Sequence, residues 1–159
     1  MTHSPDPAHL RRAIELATQN VLDGTGGPFA AVIVREGEVV AEAANSVTTT
    51  NDPTAHGEIN AIRKACAALN TFTLAGCEIY SSCEPCPMCL AAIYWARLGA
   101  IYYGSNQQDA ATAGFDDAFL YEELRRSSDN RSIPSAQLLQ AEAREAFATW
   151  IATPAKVDY

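Results

Sequence analysis

Apolar residues recur along the first third of the chain with two different periods. From Pro7 to about Leu22 they come at every third or fourth position, which predicts an amphipathic helix, and Asp6 suits its N-cap. Strand-like composition then marks residues 29–34 and 39–44, and the turn signal Glu36-Gly37-Glu38 lies between them. The sequence therefore predicts a helix followed by a β-hairpin.

Helical and strand-like segments alternate in the middle of the chain. A helix is predicted at residues 56–69, where apolar residues recur at helical spacing, and a second helix is predicted from Pro87, in its first turn, through the apolar run after Cys89. Short strands are predicted at residues 77–81 and 100–104.

Beyond Gly104 the periodicity is weaker. Helices are predicted at residues 119–126 and, for the most part, 136–150, with Leu138 and Leu139 as an alternative short fifth strand. Strands that alternate with helices predict an α/β layered domain with a mixed sheet. Residues 1–159 are enough to bury one sizeable core, so a single domain is expected.

The composition is that of an ordinary globular protein with an acidic balance. Hydrophobic residues make up 48% and charged residues 19% of the chain, with no apolar run of membrane-spanning length and no signal-peptide pattern. Five cysteines in such a chain favour a reducing compartment, and the cytoplasm is expected. Because a net charge of −8 repels phosphate backbones, no nucleic acid is expected as a partner, and without an apolar run of spanning length no membrane is expected either.

Metal-binding residue types are concentrated in two short segments. Cys86 and Cys89 are three residues apart at a predicted helix start, so both thiols can face one point, and the helix N-terminus favours their thiolates. A catalytic zinc takes three protein ligands and keeps a fourth position for water. His56 supplies the third ligand, and Glu58 lies near enough to act on that water. The order H-x-E followed by P-C-x-x-C matches the signature of the zinc-dependent deaminases.

Each half of this pattern also has a simpler interpretation. A lone C-x-x-C occurs in redox pairs and in structural zinc sites, and a histidine at a helix start often only caps the helix. Cys83 is the nearest rival ligand, but a fourth protein ligand would close the site, so Cys83 is interpreted as a structural thiol. His3 and His9 lie in a polar N-terminal stretch. The two halves together favour one catalytic zinc per chain.

The chemistry that these residues permit is zinc-assisted hydrolysis. Bound zinc lowers the pKa of water to about 7, and Glu58 can take the proton and return it to a departing amine. No organic cofactor is required. The spacing indicates hydrolytic deamination, leaves amide hydrolysis open and identifies no substrate.

Several segments give the chain its resemblance to the cytidine deaminase superfamily, and within it to the bacterial guanine deaminases. They are Gly26–Phe29, Asn51–Glu58, Ser82–Cys89, Ala92–Arg97, Ala113–Asp117 and the terminal Tyr159. Many nucleobase deaminases share the zinc segments, whereas the Gly-Phe-Asp-Asp segment and the tyrosine point to guanine. The resemblance implies a three-layer α/β/α fold with a central mixed five-stranded sheet. It also implies hydrolysis of guanine to xanthine and ammonia, in purine catabolism or salvage.

The same resemblance implies a role for each site residue. The zinc ligands and the proton shuttle are His56, Cys86, Cys89 and Glu58. The residues that would hold the purine are Asn45, Asp117, Tyr159, Phe29 and Trp95. Asn45 and Asp117 would hydrogen-bond the ring and Tyr159 would close over it. Phe29 and Trp95 would line the pocket.

These substrate residues have other interpretations by residue type alone. Asn45 suits a turn and Asp117 suits a helix cap. Phe29 and Trp95 are by default core residues, and Tyr159 is a chain end.

Other functions and an assembly also follow from the sequence. The alternative enzymes are deaminases of tRNA adenosine, cytosine or guanosine, and the non-enzymatic alternative is a structural zinc module, which has no use for Glu58. The resemblance further implies a homodimer in which residues from about 135 to 159 are exchanged between subunits. In that arrangement the tail would cover the partner's pocket.

Overall fold

The chain folds into alternating helices and strands, in a computed structural model that describes residues 4–159. His3 lies outside the described residues. The helices are α1 (Pro7–Leu22), α2 (Val47–Thr50), α3 (Gly57–Leu69), α4 (Pro87–Trp95), α5 (Gln107–Thr112), α6 (Asp117–Arg125) and α7 (Gln140–Ala152), with a 3₁₀ turn at Ser128–Asn130. The strands are β1 (Ala30–Arg35), β2 (Glu38–Ala44), β3 (Cys77–Cys83) and β4 (Ala100–Ser105).

The strands form one mixed sheet in the order β2-β1-β3-β4. β1 is antiparallel to both β2 and β3, whereas β3 and β4 run parallel. Glu36 and Gly37 join β1 to β2 with φ angles of 53° and 84°, as a two-residue hairpin turn requires. The predicted hairpin and the mixed sheet are therefore confirmed.

The sheet has four strands among the described residues, so the prediction of a fifth is corrected. Leu138 and Leu139 belong to no strand. Leu139 is instead the N-cap of α7 with a φ of 53°, a left-handed conformation that ends an extended segment. Two adjacent leucines carried an apolar signal that fits a strand and a helix start equally well.

Helices cover both faces of this sheet. Along β1, Ala31 and Ile33 join a core cluster with residues of α3 and α4, whereas Val32 and Val34 join a second cluster with residues of α1. Because side chains alternate along a strand, β1 is buried on both faces, which explains its continuous apolar run. The result is the three-layer α/β/α arrangement.

A short helix interrupts the loop that the polar composition of residues 45–53 predicts. The hydroxyls of Thr49 and Thr50 donate to the carbonyl of Ser46, and the single turn α2 ends at Asn51 in a left-handed conformation. This turn carries the chain from the end of β2 to the start of α3.

Contacts between Cα atoms divide the chain into two compact units, Met1–Tyr121 and Glu122–Tyr159. The first unit contains the sheet. In the second unit, α7 has no buried residue, and Phe147 and Ile151 are 70% and 72% exposed. No helix in residues 4–159 combines the length and apolar character needed to cross a membrane.

Candidate active site

Two helices begin side by side and present their first residues to each other. His56 is the N-cap of α3 and Cys86 is the N-cap of α4, and neither side chain makes a capping hydrogen bond. An N-cap side chain ordinarily binds an N–H group of its own helix. Here both side chains are left for the space between the two helix starts.

The imidazole and two thiols meet in that space. The Nδ1 atom of His56 lies 3.6 Å from the Sγ atoms of both Cys86 and Cys89, and the three potential ligand atoms lie within 4.8 Å of one another. A tetrahedral zinc with its usual Zn–S and Zn–N distances holds such atoms roughly 3.5 Å apart. One nitrogen and two sulfurs also leave a fourth position open. The donor set and its spacing therefore fit a catalytic zinc.

The protonation of the cluster favours metal binding. A hydrogen bond from Cys89 and a second from His56 lower the pKa of Cys86 to about 4. The hydrogen bond to Cys86 raises the pKa of His56, and the pKa of Cys89 is raised because its proton is held by the Cys86 thiolate. A thiolate is thus present at neutral pH to attract a soft cation.

Glu58 is a buried carboxylate next to this cluster. It lies in the first turn of α3 and is 4% exposed, and burial raises its pKa. Its Oε2 atom accepts a hydrogen bond of 3.5 Å from Cys89, and its Oε1 atom accepts one of 3.2 Å from Ser81. A carboxyl group with a raised pKa beside a metal cluster can accept and return a proton.

The cluster opens on a cavity of about 260 Å³, a volume for a small molecule. Its lining residues are Gly27, Phe29, Asn45, Val47, Thr48, Pro53, His56, Glu58, Glu84, Cys86, Phe115 and Asp117. The structure therefore brings the predicted residues Phe29, Asn45 and Asp117 together with the candidate metal ligands.

Asn45 presents a hydrogen-bond donor to this cavity. Its Oδ1 atom accepts from the backbone N–H groups of Gly27 and Val47, at 3.4 and 3.2 Å. Two N–H groups require an oxygen opposite them, so the orientation of the amide is fixed. The Nδ2 group then remains to donate to a ligand.

Asp117 presents an acceptor. It is the first residue of α6, and its side chain makes no hydrogen bond to another residue among those described. Burial raises the pKa of Asp117, and the negative charge of Cys86 raises it further. The cavity thus combines an amide donor with a carboxyl acceptor.

The order of these groups along the chain is that of a known family. A profile of the cytidine and deoxycytidylate deaminase zinc-binding region matches residues 3–105, which include the starts of α3 and α4. The chain belongs to this deaminase family. Zinc is accordingly the metal of the cluster of nitrogen and sulfur atoms.

Relatives of this deaminase are similar over different shares of the chain. Guanine deaminase of Bacillus subtilis (strain 168) is 51% identical over 150 residues, which cover 94% of this chain and 96% of that protein. An X-ray structure of guanine deaminase from Bacillus subtilis aligns with a TM-score of 0.94 at 49% identity, covering 98% of this chain and 99% of the other. The tRNA-specific adenosine deaminase of Aquifex aeolicus is 46% identical over 78 residues, which cover 49% of this chain and 52% of that protein.

The two remaining predicted pocket residues are Trp95 and Tyr159. Trp95 is not among the residues that line this cavity, and its place in the substrate pocket stays a prediction. It is the last residue of α4, six positions past Cys89 and therefore roughly 9 Å further along the helix axis. Tyr159 belongs to the second unit, where its ring lies 6.4 Å from that of Trp150.

Sequence reasoning missed Phe115 and Tyr121. Phe115 packs edge-on against Phe29 with ring centroids 4.6 Å apart, so the two rings form one apolar wall of the cavity. The hydroxyl of Tyr121 donates to the carbonyl of Pro85 at 2.8 Å and ties α6 to the cysteine loop. The segment Ala113–Asp117 was noted for its aspartate, and its phenylalanine was the available signal for the wall.

Proposed function

We propose that the protein is a zinc-dependent guanine deaminase that hydrolyses guanine to xanthine and ammonia. One observation carries the proposal: Glu58 and the cluster of His56, Cys86 and Cys89 open on a cavity whose lining includes the polar side chains of Asn45 and Asp117. The chain-length similarity to Bacillus subtilis guanine deaminase supports guanine as the substrate.

The metal site is formed by His56, Cys86 and Cys89 at the two helix starts. Zinc held there supplies a nucleophile at neutral pH, because it lowers the pKa of water by several units. The buried Cys86 thiolate and the half-buried His56 imidazole attract the metal without a fourth protein ligand. Cys83 is not proposed as a zinc ligand, because its thiol donates a hydrogen bond to the carbonyl of Asn106 and burial raises the pKa of that thiol to about 11.

Glu58 moves the protons. Its Oε2 atom takes one proton from the attacking water and passes it to the ring nitrogen, and it then takes the second proton of the same water and passes it to the departing amino group. Water adds at the ring carbon that bears the amino group, the carbon–nitrogen bond breaks and ammonia leaves. The balance is one guanine and one water to one xanthine and one ammonia, with no redox step.

Asn45 and Asp117 orient the purine. Guanine has both acceptor atoms and N–H donors, so a fixed amide donor and a carboxyl acceptor can pair with it. The wrong base would leave one of these groups unpaired once the base has displaced water from the cavity, which is costly and therefore selective. Phe29 and Phe115 provide an apolar wall for the flat ring.

A free base suits this cavity better than a tRNA. Half of the chain is similar to a tRNA-specific adenosine deaminase, which keeps RNA as the second candidate substrate. A net charge of −8 opposes binding of the many phosphates of a tRNA. A structural zinc module is the weaker alternative. Burying the carboxylate of Glu58 costs free energy, and a structural zinc site does not need that carboxylate.

The working form is a homodimer in the cytoplasm. The apolar face of α7 is exposed in a single chain, and an exposed apolar face of a helix is suited to burial against another subunit. In the dimer the segment from about residue 135 to Tyr159 is exchanged, and Tyr159 closes over the partner's pocket.

An ammonia-release screen tests the substrate. The purified, zinc-loaded protein is assayed with guanine, guanosine, adenine, cytosine, cytidine and an unmodified tRNA. Ammonia from guanine, with matching xanthine by chromatography, supports the proposal. Turnover of tRNA or cytosine without turnover of guanine contradicts it.

A further inference from the structure

A hydroxyl group lies among apolar side chains directly behind Glu58. Ser81 is on β3 and is 2% exposed, and it pairs across the sheet with Ala31, a member of the core cluster beneath α3. A buried hydroxyl is costly unless it is hydrogen-bonded. Its Oγ atom donates to Oε1 of Glu58 at 3.2 Å.

The two oxygens of Glu58 have different partners on opposite sides. Oε1 is held by Ser81, whereas Oε2 lies 3.5 Å from Sγ of Cys89 and faces the candidate metal ligands. The terminal torsion of a glutamate is broad and has no strong intrinsic preference. The hydrogen bond from β3 therefore selects one rotation of the carboxylate plane.

We infer that Ser81 is a positioning residue for Glu58, whose carboxylate it holds in the orientation needed for proton transfer. The inference rests on the proposed function of Glu58 as the proton shuttle. Ser81 touches neither the cavity nor the cluster of metal ligands, and it acts only through the carboxylate. A general base with a fixed orientation reacts faster than one that must first rotate into place.

The next residue along β3 provides a matched control. Ser82 is also buried, at 7% exposure, but its Oγ atom accepts a hydrogen bond from the backbone N–H of Ala30 at 3.0 Å. Ser82→Ala therefore removes a buried hydroxyl from the same strand without touching Glu58. Any general cost of the deletion to β3 appears in both variants.

The experiment compares Ser81→Ala, Ser81→Thr and Ser82→Ala with the wild type. In Ser81→Ala we expect kcat for guanine to fall about tenfold to a hundredfold, with KM and zinc content close to the wild-type values. Ser81→Thr keeps the donor and should recover most of the rate, and Ser82→Ala should keep the wild-type kcat. A crystal structure of Ser81→Ala should show the Glu58 carboxylate rotated or in two orientations.

The structural readout separates this inference from the proposed function. If the wild type does not deaminate guanine, the proposed function fails, while the orientation of Glu58 in the crystal structure still tests Ser81. An unchanged carboxylate orientation in Ser81→Ala overturns the inference, as does an unchanged kcat in an active enzyme. An equal fall of kcat in Ser82→Ala also overturns it. If Ser81→Ala does not fold, the same measurements are made on Ser81→Cys, whose side chain is similar in size to serine and is a weaker hydrogen-bond donor. An intermediate kcat is then expected.

Discussion

Asn45 and Asp117 divide the recognition of the ring between a donor and an acceptor. The amide oxygen of Asn45 already accepts two backbone N–H groups, so only its Nδ2 group is left for the purine. Asp117 has no other side-chain partner among the described residues. The two positions can therefore be tested with substitutions that change one hydrogen-bonding atom each.

Asn45→Asp should impair guanine turnover without unfolding the protein. The new carboxylate still accepts from Gly27 and Val47, but it replaces the donor with an acceptor. We expect kcat/KM for guanine to fall roughly a hundredfold at nearly unchanged Tm. Asn45→Ala loses the acceptor as well and should also lower the free energy of unfolding by about 1–3 kcal/mol. Wild-type kcat/KM in Asn45→Asp would show that the amide only shapes the turn.

Asp117→Asn separates substrate binding from a structural role at the start of α6. Asp117 is the first residue of α6 and its side chain makes no capping hydrogen bond among the described residues, so this exchange between side chains of equal size should leave Tm nearly unchanged. If Asp117 accepts a hydrogen bond from guanine, kcat/KM falls by at least about tenfold with zinc content preserved. Kinetics and metal analysis on the same preparation decide the question, and an unchanged kcat/KM would leave Asp117 with a structural role.

At the level of the elements, the site depends on how closely α3 approaches β1. A Cβ atom on Gly57 would lie 2.8 Å from the Cα atom of Ala30, closer than packed atoms allow. Glycine disfavours a helix by about 1 kcal/mol, so by residue type alone Gly57 would weaken the start of α3. The close approach to β1 explains the glycine. Without a side chain at position 57, His56 and Glu58 can lie directly against the sheet.

Gly57→Ala should therefore shift the start of α3. We expect the free energy of unfolding to fall by about 1–3 kcal/mol and zinc to be lost more readily to a chelator, because His56 moves with the helix. Gly99→Ala is the control, since its Cβ atom would meet only the carbonyl of Cys77 at an ordinary 3.5 Å. Thermal melts and zinc retention that match the wild type would contradict this account of Gly57.

The elements that sequence predicted well are those with a local signal. The 3.6-residue period of α1, the turn before β2 and the C-x-x-C at α4 are each determined by neighbouring residues. The short helix α2 was not predicted, because it depends on hydroxyl groups that bind the carbonyl of Ser46. Leu139 was misplaced in the alternative fifth strand, because the pairing of a strand with its partner is a property of the folded chain.

For the candidate site too, the residues with a local sequence signal were predicted and those that depend on contacts in the folded chain were not. His56, Glu58, Cys86 and Cys89 were found from spacing, and the structure places them together. Phe115 and Ser81 were not found. Phe115 lines the cavity beside Phe29, which is distant from it in sequence, and Ser81 of strand β3 reaches Glu58 of helix α3.

At the scale of the whole molecule, the proposed dimer makes the tail part of the active site. In the second unit the tail folds on α7, with Tyr159 and Lys156 both near the ring of Trp150. Deletion of residues 156–159 should lower kcat/KM for guanine severely and leave zinc content unchanged. Phe147→Ser, a change on the exposed face of α7, should instead weaken the dimer measured by analytical ultracentrifugation.

Complementation tests whether the tail acts on the partner. A Glu58→Ala chain and a chain lacking residues 156–159 are refolded together, so that one site in the mixed dimer has both Glu58 and a tail. We expect partial recovery of activity. Mixed dimers that form without any activity would show that the tail serves its own chain.

The most direct measurement of the central claim is ammonia and xanthine formation from guanine by wild type and Glu58→Ala, with zinc measured in both. Wild type should convert guanine to equal amounts of the two products with one zinc per chain. Glu58→Ala should keep the zinc and lose at least about a hundredfold in kcat, because one carboxylate serves every proton transfer. A zinc-loaded Glu58→Ala enzyme with near-wild-type kcat, or a zinc-loaded wild type that leaves guanine intact, would contradict the account.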